Sequence, residues 1–378
     1  MTSCSGTDLE YTGEAQCGAA RAGRLRVRGR ELLTPAFLPV GTYGSVKGMA
    51  PHELSELGAG MLLANACHLH DRPGEHTVAE LGGLHRFMGW DGALLTDSGG
   101  FQVFSMLDIA ELDDQGVSFR SPLDGRKLRL GPVEAADIQL ALDSDIAMVF
   151  DHCPPLPASR DLLELSVRRT TDWARRAQAH HARHNPRGQA QFAIVQGGLD
   201  DELRARSAAE LIELDFPGYA VGGLSVGESR AELALAMTRY APLLPEHKLR
   251  YVMGIGGPAD LLAAIAAGFD VFDCVLPSRN GRHGTLFVPG GNIHLKNSRF
   301  RADREPIEAG CDCPACAGGW SRGVLRHLIK AGEPLGRRLC TAHNLRFLHR
   351  LVARAREAVV AQRFDAFLAD ERAVYTKG

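Results

Sequence analysis

Ala93-Leu94-Leu95-Thr96 runs directly into Asp97-Ser98-Gly99-Gly100. An apolar run of strand length without polar alternation suits a strand covered on both faces, and the acid and glycines behind it mark its carboxyl end. The pattern recurs at Ala36 to Val40, Met61 to Ala64, Ile146 to Phe150, Gln191 to Val195, Gly218 to Val221, Arg250 to Met253 and Phe269 to Phe272. Directly behind the eight runs stand Gly41-Thr42, Asn65, Asp97, Asp151, Gln196, Gly222-Gly223, Gly254 and Asp273. Most runs are followed by a helical pattern, so the expected fold class is α/β, a (β/α)8 TIM barrel. A doubly wound open sheet would spread these polar groups along an edge, whereas a barrel gathers them at one mouth.

Two connections exceed a plain strand-to-helix link. Ser98 to Asp145 carries Val117-Ser118-Phe119-Arg120-Ser121-Pro122-Leu123-Asp124-Gly125, which predicts an inserted hairpin ahead of a helix from Pro132 to Leu142. Asn280 to His343 contains Cys311-Asp312-Cys313-Pro314-Ala315-Cys316. Three thiols so close, with a distant imidazole, make a closed tetrahedral set suited to one structural Zn2+. His343 is taken as the fourth ligand, at an expected helix start in Thr341-Ala342-His343-Asn344, with His327, His349 and Cys340 as nearby alternates. The expected organisation is one barrel domain over 1–378, with residues 280–345 inserted as a zinc-binding unit between the last strand and the last helix, which is read from Leu345 to Leu368.

At 378 residues and 45% hydrophobic content the chain can bury a large core. Met1 to Gly23 holds no sustained apolar run and no segment has membrane-span length, so a cytoplasmic protein with reduced thiols is expected. The net charge of −2 conceals an asymmetry, because Leu276 to Ala355 holds 14 Lys and Arg against 5 Asp and Glu. Such a basic stretch around the cysteines favours a polyanion partner.

Asp97, Asp151 and Asp273 would meet at the barrel mouth, where like charges repel and shift one another's protonation. Paired carboxylates serve glycosidic chemistry, one attacking an anomeric carbon while the other manages protons. Gly222-Gly223-Leu224-Ser225 and Ser98-Gly99-Gly100 allow a flat base to approach backbone amides, and Phe101 and Met253 are suited either to sandwich it or to pack in the core.

Thr96-Asp97-Ser98-Gly99-Gly100-Phe101-Gln102-Val103-Phe104-Ser105, Val195-Gln196-Gly197-Gly198, Gly222 to Glu228, Tyr251-Val252-Met253-Gly254, Asp273 to Gly281 and the Cys-x-Cys-x2-Cys cluster together resemble the bacterial tRNA-guanine transglycosylases, the queuine tRNA-ribosyltransferase family, from about Thr34 to Leu368. The resemblance implies a zinc-containing homodimeric barrel enzyme, a pentosyltransferase. It would exchange the wobble guanine of tRNAs with a G-U-N anticodon (Asp, Asn, His, Tyr) for the 7-deazaguanine preQ1 in queuosine biosynthesis. By motif, Asp273 would be the nucleophile at C1′ and Asp97 the general acid and base. Asp151, Gln196, Gly223 and Leu224 would read the base, Phe101 and Met253 would lie on its faces, and Ser98 and Asn65 would orient the aspartates. Glu228 would orient peptide groups near the 7-substituent. Arg279 and Arg282 would hold tRNA, with the zinc insertion adding basic surface.

Val226 and Cys153 match the bacterial pattern and favour preQ1, while salvage of the bulkier queuine and action on another nucleic acid are the alternatives. A catalytically silent partner subunit would be expected to lack the carboxylates that this chain keeps. The chain departs from the family pattern at Asn65-Ala66-Cys67-His68, Asp151-His152-Cys153 and Ser121-Pro122, none of them a proposed catalytic acid.

Overall fold

The computed structural model describes residues 7–104 and 110–375, so Ser105 at the end of the first motif lies outside the described residues. Eight parallel strands close into a barrel. They are β1 (Ala36–Gly41), β2 (Met61–Asn65), β3 (Ala93–Asp97), β4 (Ile146–Met148), β5 (Ala190–Val195), β6 (Gly218–Val221), β7 (Leu249–Val252) and β8 (Val271–Cys274). Every expected run forms a strand. β4 stops at Met148, two residues before the apolar run ends, and β8 starts at Val271, two residues after its run begins. Closure comes from β8 against β1, which places Asp273 opposite Leu38, while β2 against β3 places Asn65 opposite Asp97. The runs lack polar alternation because the residues of β1 to β7 are buried on both faces, by the barrel interior and by the surrounding helices.

An antiparallel sheet of Leu9–Cys17, Ala20–Val27 and Arg30–Thr34, absent from the sequence reading, covers the opposite end of the barrel. Its attachments fall where barrel strands begin. Arg28 and Arg30 pair with Asp145 just before β4, and Tyr11 and Arg21 bond Asp270 just before β8. Asp270 is buried, and burial raises its pKa against the lowering effect of Arg21.

The first long connection forms a three-stranded sheet, Ala110–Asp113, Gly116–Arg120 and Lys127–Leu130, one strand more than the expected hairpin. The helix after it runs Pro132–Leu142 as expected, with Pro132 at its first position.

The second connection builds Leu276–His283, the strand pair Thr285–Val288 and Gly291–His294, the short helix Pro314–Ala317 and the helix Arg322–Ala331. Its apolar residues form a small core of their own from Leu286, Leu295, Ile307, Ala315, Leu325 and Ile329 around the cysteines. The last barrel helix begins earlier than expected, spanning Pro334–Val360, so His343 sits inside a helix rather than at its start. Proline at the first helical position sets the start at Pro334, ten residues upstream of Asn344 and ahead of the expected start in Thr341-Ala342-His343-Asn344. Leu276–His283 packs tightly on this helix: a Cβ on Gly281 would stand 2.7 Å from the Thr341 backbone.

Candidate active site and metal centre

Asp97 is the last residue of β3 and is buried. Asn65, opposite it in the sheet, donates to Oδ2; so does Gln102 at 2.7 Å, and the Ala66 amide donates to Oδ1 at 2.9 Å. Burial pushes the Asp97 carboxyl up to about 6, the three donors oppose that rise, and the charge of Asp273 adds to it. A carboxyl poised there exchanges its proton readily near neutrality.

Asp151 lies three residues beyond β4, also buried, with Gln196 Nε2 donating to Oδ2 at 2.6 Å and the Ser98 hydroxyl to Oδ1 at 3.4 Å. Burial lifts it to about 6, and Asp97 contributes. Gln196 follows β5 directly, and both residues are walled by the glycines behind β6. Gly223 holds φ +63°, and a Cβ there would meet Gln196 Oε1 at 2.6 Å, so only glycine fits beside that amide. Leu224 is buried beside it.

Asp273, third in β8, is half-buried. Tyr251 donates its hydroxyl hydrogen to Oδ1 at 2.5 Å and the Gly254 amide donates to the same oxygen at 3.0 Å, so Oδ2 carries neither bond. Burial raises this carboxyl while Tyr251 and Gly254 lower it. A carboxylate oriented through one oxygen is a competent nucleophile, and a second carboxyl poised to move a proton lies within its field.

The structure thus gathers Asp97, Asp151, Asp273, Asn65, Ser98, Gln196, Gly223, Leu224 and Met253 at the carboxyl ends of β2 to β8. Met253 is half-buried one residue past β7, and Phe101, on Gly100–Phe104, is 53% exposed. Glu228 accepts the Ser225 amide and, at 3.0 Å, the Val226 amide. Arg279 is exposed and Arg282 half-buried on the helix that leaves Asp273. Burial lowers the Arg282 pKa, and the charges of Arg279 and Arg337 lower it further.

Tyr251, Gln102 and Gly254 carry no role in the sequence reading. Gln102 lies in the same motif as Asp97, on the short helix Gly100–Phe104 that follows β3 and returns its amide to the carboxylate. The hydroxyl of Tyr251 has no sequence signal, being part of an apolar strand run.

Cys311, Cys313, Cys316 and His343 converge on one point, their ligand atoms all within 4.8 Å of one another, and can hold a metal ion. His343 Nδ1 lies 3.7, 3.5 and 3.6 Å from the three sulfurs. Its Nε2 faces the Phe287 carbonyl at 2.7 Å and donates to it, leaving the Nδ1 lone pair toward the thiols. The alternates lie outside this set: Cys340 is buried in the same small core but is not among the converging ligand atoms, and His349 packs edge-on against Phe37.

A family model for queuine tRNA-ribosyltransferases matches residues 16–377. The chain belongs to that family. It is 50% identical over 361 residues to a queuine tRNA-ribosyltransferase of Thiobacillus denitrificans, covering 96% of this chain and 97% of the relative. One from Thermus thermophilus is 49% identical over 354 residues (94% and 91%), and one from Bacillus pumilus 48% over 358 residues (95% and 93%). Membership makes the chain an enzyme of the pentosyl-transferring class. No helix among the described residues is long and apolar enough to cross a membrane.

Proposed function

We propose that this chain is a tRNA-guanine transglycosylase of queuosine biosynthesis that replaces the wobble guanine of G-U-N anticodon tRNAs with preQ1 through a covalent intermediate. The observation that carries this reading is the pairing of Asp273, oriented through one oxygen by Tyr251 and Gly254, with Asp97, buried and poised at about 6. An oxygen of Asp273 forms a bond to ribose C1′ as the C1′–N9 bond breaks, and Asp97 supplies the proton to the departing guanine. The incoming base gives its proton to Asp97, its N9 bonds to C1′, and the bond to Asp273 breaks. Two inversions give retention.

Asp151, Gln196, Gly223 and Leu224 read the base edge in this account, with Phe101 and Met253 on its faces and Ser98 and Asn65 orienting the aspartates. Glu228 fixes the adjoining peptides near the 7-substituent. The wobble nucleotide must leave its stack to enter, and Arg279, Arg282 and the basic unit over residues 280–345 hold the surrounding phosphates.

The metal is Zn2+ in this reading, one structural ion held by Cys311, Cys313, Cys316 and His343. A tetrahedral zinc with Zn–S of about 2.3 Å and Zn–N of about 2.0–2.1 Å implies S···N edges of about 3.6 Å, which supports the assignment against the 3.5 to 3.7 Å observed. The ion's contribution is to fold the small core around it. The enzyme works in the cytoplasm as a homodimer in which one subunit catalyses and the other helps hold the tRNA.

Release of radiolabelled guanine from a G-U-N tRNA, with preQ1 and queuine offered in parallel, tests the reading. Displacement by preQ1 alone supports it. Displacement by queuine assigns salvage instead, and no exchange with either removes the base-exchange reading.

A further inference from the structure

Arg204, on the helix Asp201–Ile212 behind β5, is completely buried. Its Nε–H donates to Gly198 O at 2.8 Å, Nη1–H to Val195 O at 2.7 Å and Nη2–H to Gly223 O at 3.4 Å. The guanidinium also stacks over the Tyr240 ring at 5.0 Å. A buried cation is normally matched by a carboxylate, yet the three groups bonded here are backbone carbonyls. Burial lowers its pKa to about 10, which still leaves it charged at neutral pH.

The three carbonyls belong to the segments that carry the base-facing groups. Val195 immediately precedes Gln196, Gly198 lies two residues beyond it, and Gly223 begins the turn behind β6. Val195 O also accepts the Gly222 amide at 3.1 Å, so one carbonyl joins both strand ends to the arginine. Gly197-Gly198 and Gly222-Gly223 have no side chains with which to anchor themselves, and glycine-rich backbone is the most mobile unless held. Because a trans peptide is planar, turning the Gly223 carbonyl toward Arg204 turns the Leu224 N–H to the opposite side.

We infer that Arg204 is a positioning residue for base recognition, whose forked guanidinium fixes the Val195–Gln196, Gly198–Leu199 and Gly223–Leu224 peptides, and with them the strand ends that carry Gln196 and Leu224, in the orientation that meets the nucleobase. This rests on the base-exchange reading above. The planar fork is required, since a lysine ammonium on a single stem cannot span three carbonyls set at fixed angles.

The test uses full-length Arg204→Lys and Arg204→Met, assayed well below their melting temperatures, with separate KM values for free guanine and for tRNA. Both variants are expected to raise the KM for guanine about tenfold or more while the KM for tRNA, set by many phosphate contacts, changes far less. Amide hydrogen exchange is expected to rise over 195–200 and 221–226 and to stay unchanged elsewhere in the barrel. A folded variant of either kind with the wild-type KM for guanine overturns the assignment, as does faster exchange spread over the whole barrel without a KM change. If Arg204→Met does not fold, Arg204→Lys, which keeps the charge and most of the stem, decides. Wild-type protein without guanine exchange refutes the base-exchange reading and this inference together, whereas active wild type with unaltered variants refutes only the role of Arg204.

Discussion

Asn344 donates Nδ2–H to the carbonyl of Pro277 at 3.0 Å, tying the residue after His343 to the residue four past Asp273. The same amide nitrogen donates to Thr285 O at 3.0 Å, and its oxygen accepts from Phe287 N at 2.9 Å. Phe287 O in turn orients His343. Through Asn344, the candidate metal centre and the helix that leaves Asp273 are therefore tied by one short chain of hydrogen bonds.

Asn344→Ala removes all three bonds and leaves buried backbone groups without partners, which is expected to cost about 3 kcal/mol of stability. A denaturant melt measures it. A loss indistinguishable from zero would mean that the chain of bonds carries no stability.

Cys313→Ser is expected to lose zinc and lower the melting temperature, because the small core around the thiols has little apolar area of its own. Metal analysis beside a thermal melt checks it. Full metal content with an unchanged melting temperature would contradict the proposed metal site.

Tyr251→Phe removes a hydrogen bond that favours the ionised form of Asp273. The Asp273 pKa should rise, so the acid limb of kcat/KM against pH moves to higher pH. A limb that does not move would show that Asp273 ionisation does not govern it.

Asp151→Asn is expected to stabilise the protein at pH 8. The folded-state pKa is raised to about 6. The folded form therefore binds its proton more tightly than the unfolded chain does, and stability falls as pH rises from about 4 to about 6 because the carboxylate must then be buried charged. Asparagine escapes that cost, and the Gln196 amide can rotate to donate or accept. The gain, on the order of 1 to 3 kcal/mol at pH 8, should vanish below about pH 4. Melts at the two pH values decide, and equal stability at pH 8 would count against a buried charge at this position. Base exchange should be lost in the same variant.

The barrel was legible because its strands are buried on both faces and so read as uninterrupted apolar runs ending in Asn65, Asp97, Gln196 or glycine. The amino-terminal sheet was not, because Leu9-Glu10-Tyr11-Thr12-Gly13-Glu14-Ala15-Gln16-Cys17 and Ala20-Arg21-Ala22-Gly23-Arg24-Leu25-Arg26-Val27 interleave charge with apolar residues and acquire meaning only through Asp145 and Asp270 across the fold. The three aspartates could be named from their places behind strands. Their partners were harder to see, since Tyr251 reads as core and Arg204 as one cation on an amphipathic helix until the tertiary structure shows which carbonyls it meets. The start of the last helix is not where Thr341 and Asn344, which look like capping residues, suggest it: in the fold the Thr341 hydroxyl donates back to the Arg337 carbonyl one turn earlier, and Asn344 bonds across to the Pro277 and Thr285 carbonyls.

The central claim is that Asp273 attacks C1′ and holds the tRNA covalently. Wild-type protein and Asp273→Asn are incubated with a G-U-N anticodon tRNA and run on a denaturing gel. A protein–tRNA adduct is expected with the wild type and none with Asp273→Asn; an adduct of equal yield from the variant would show that Asp273 is not the nucleophile.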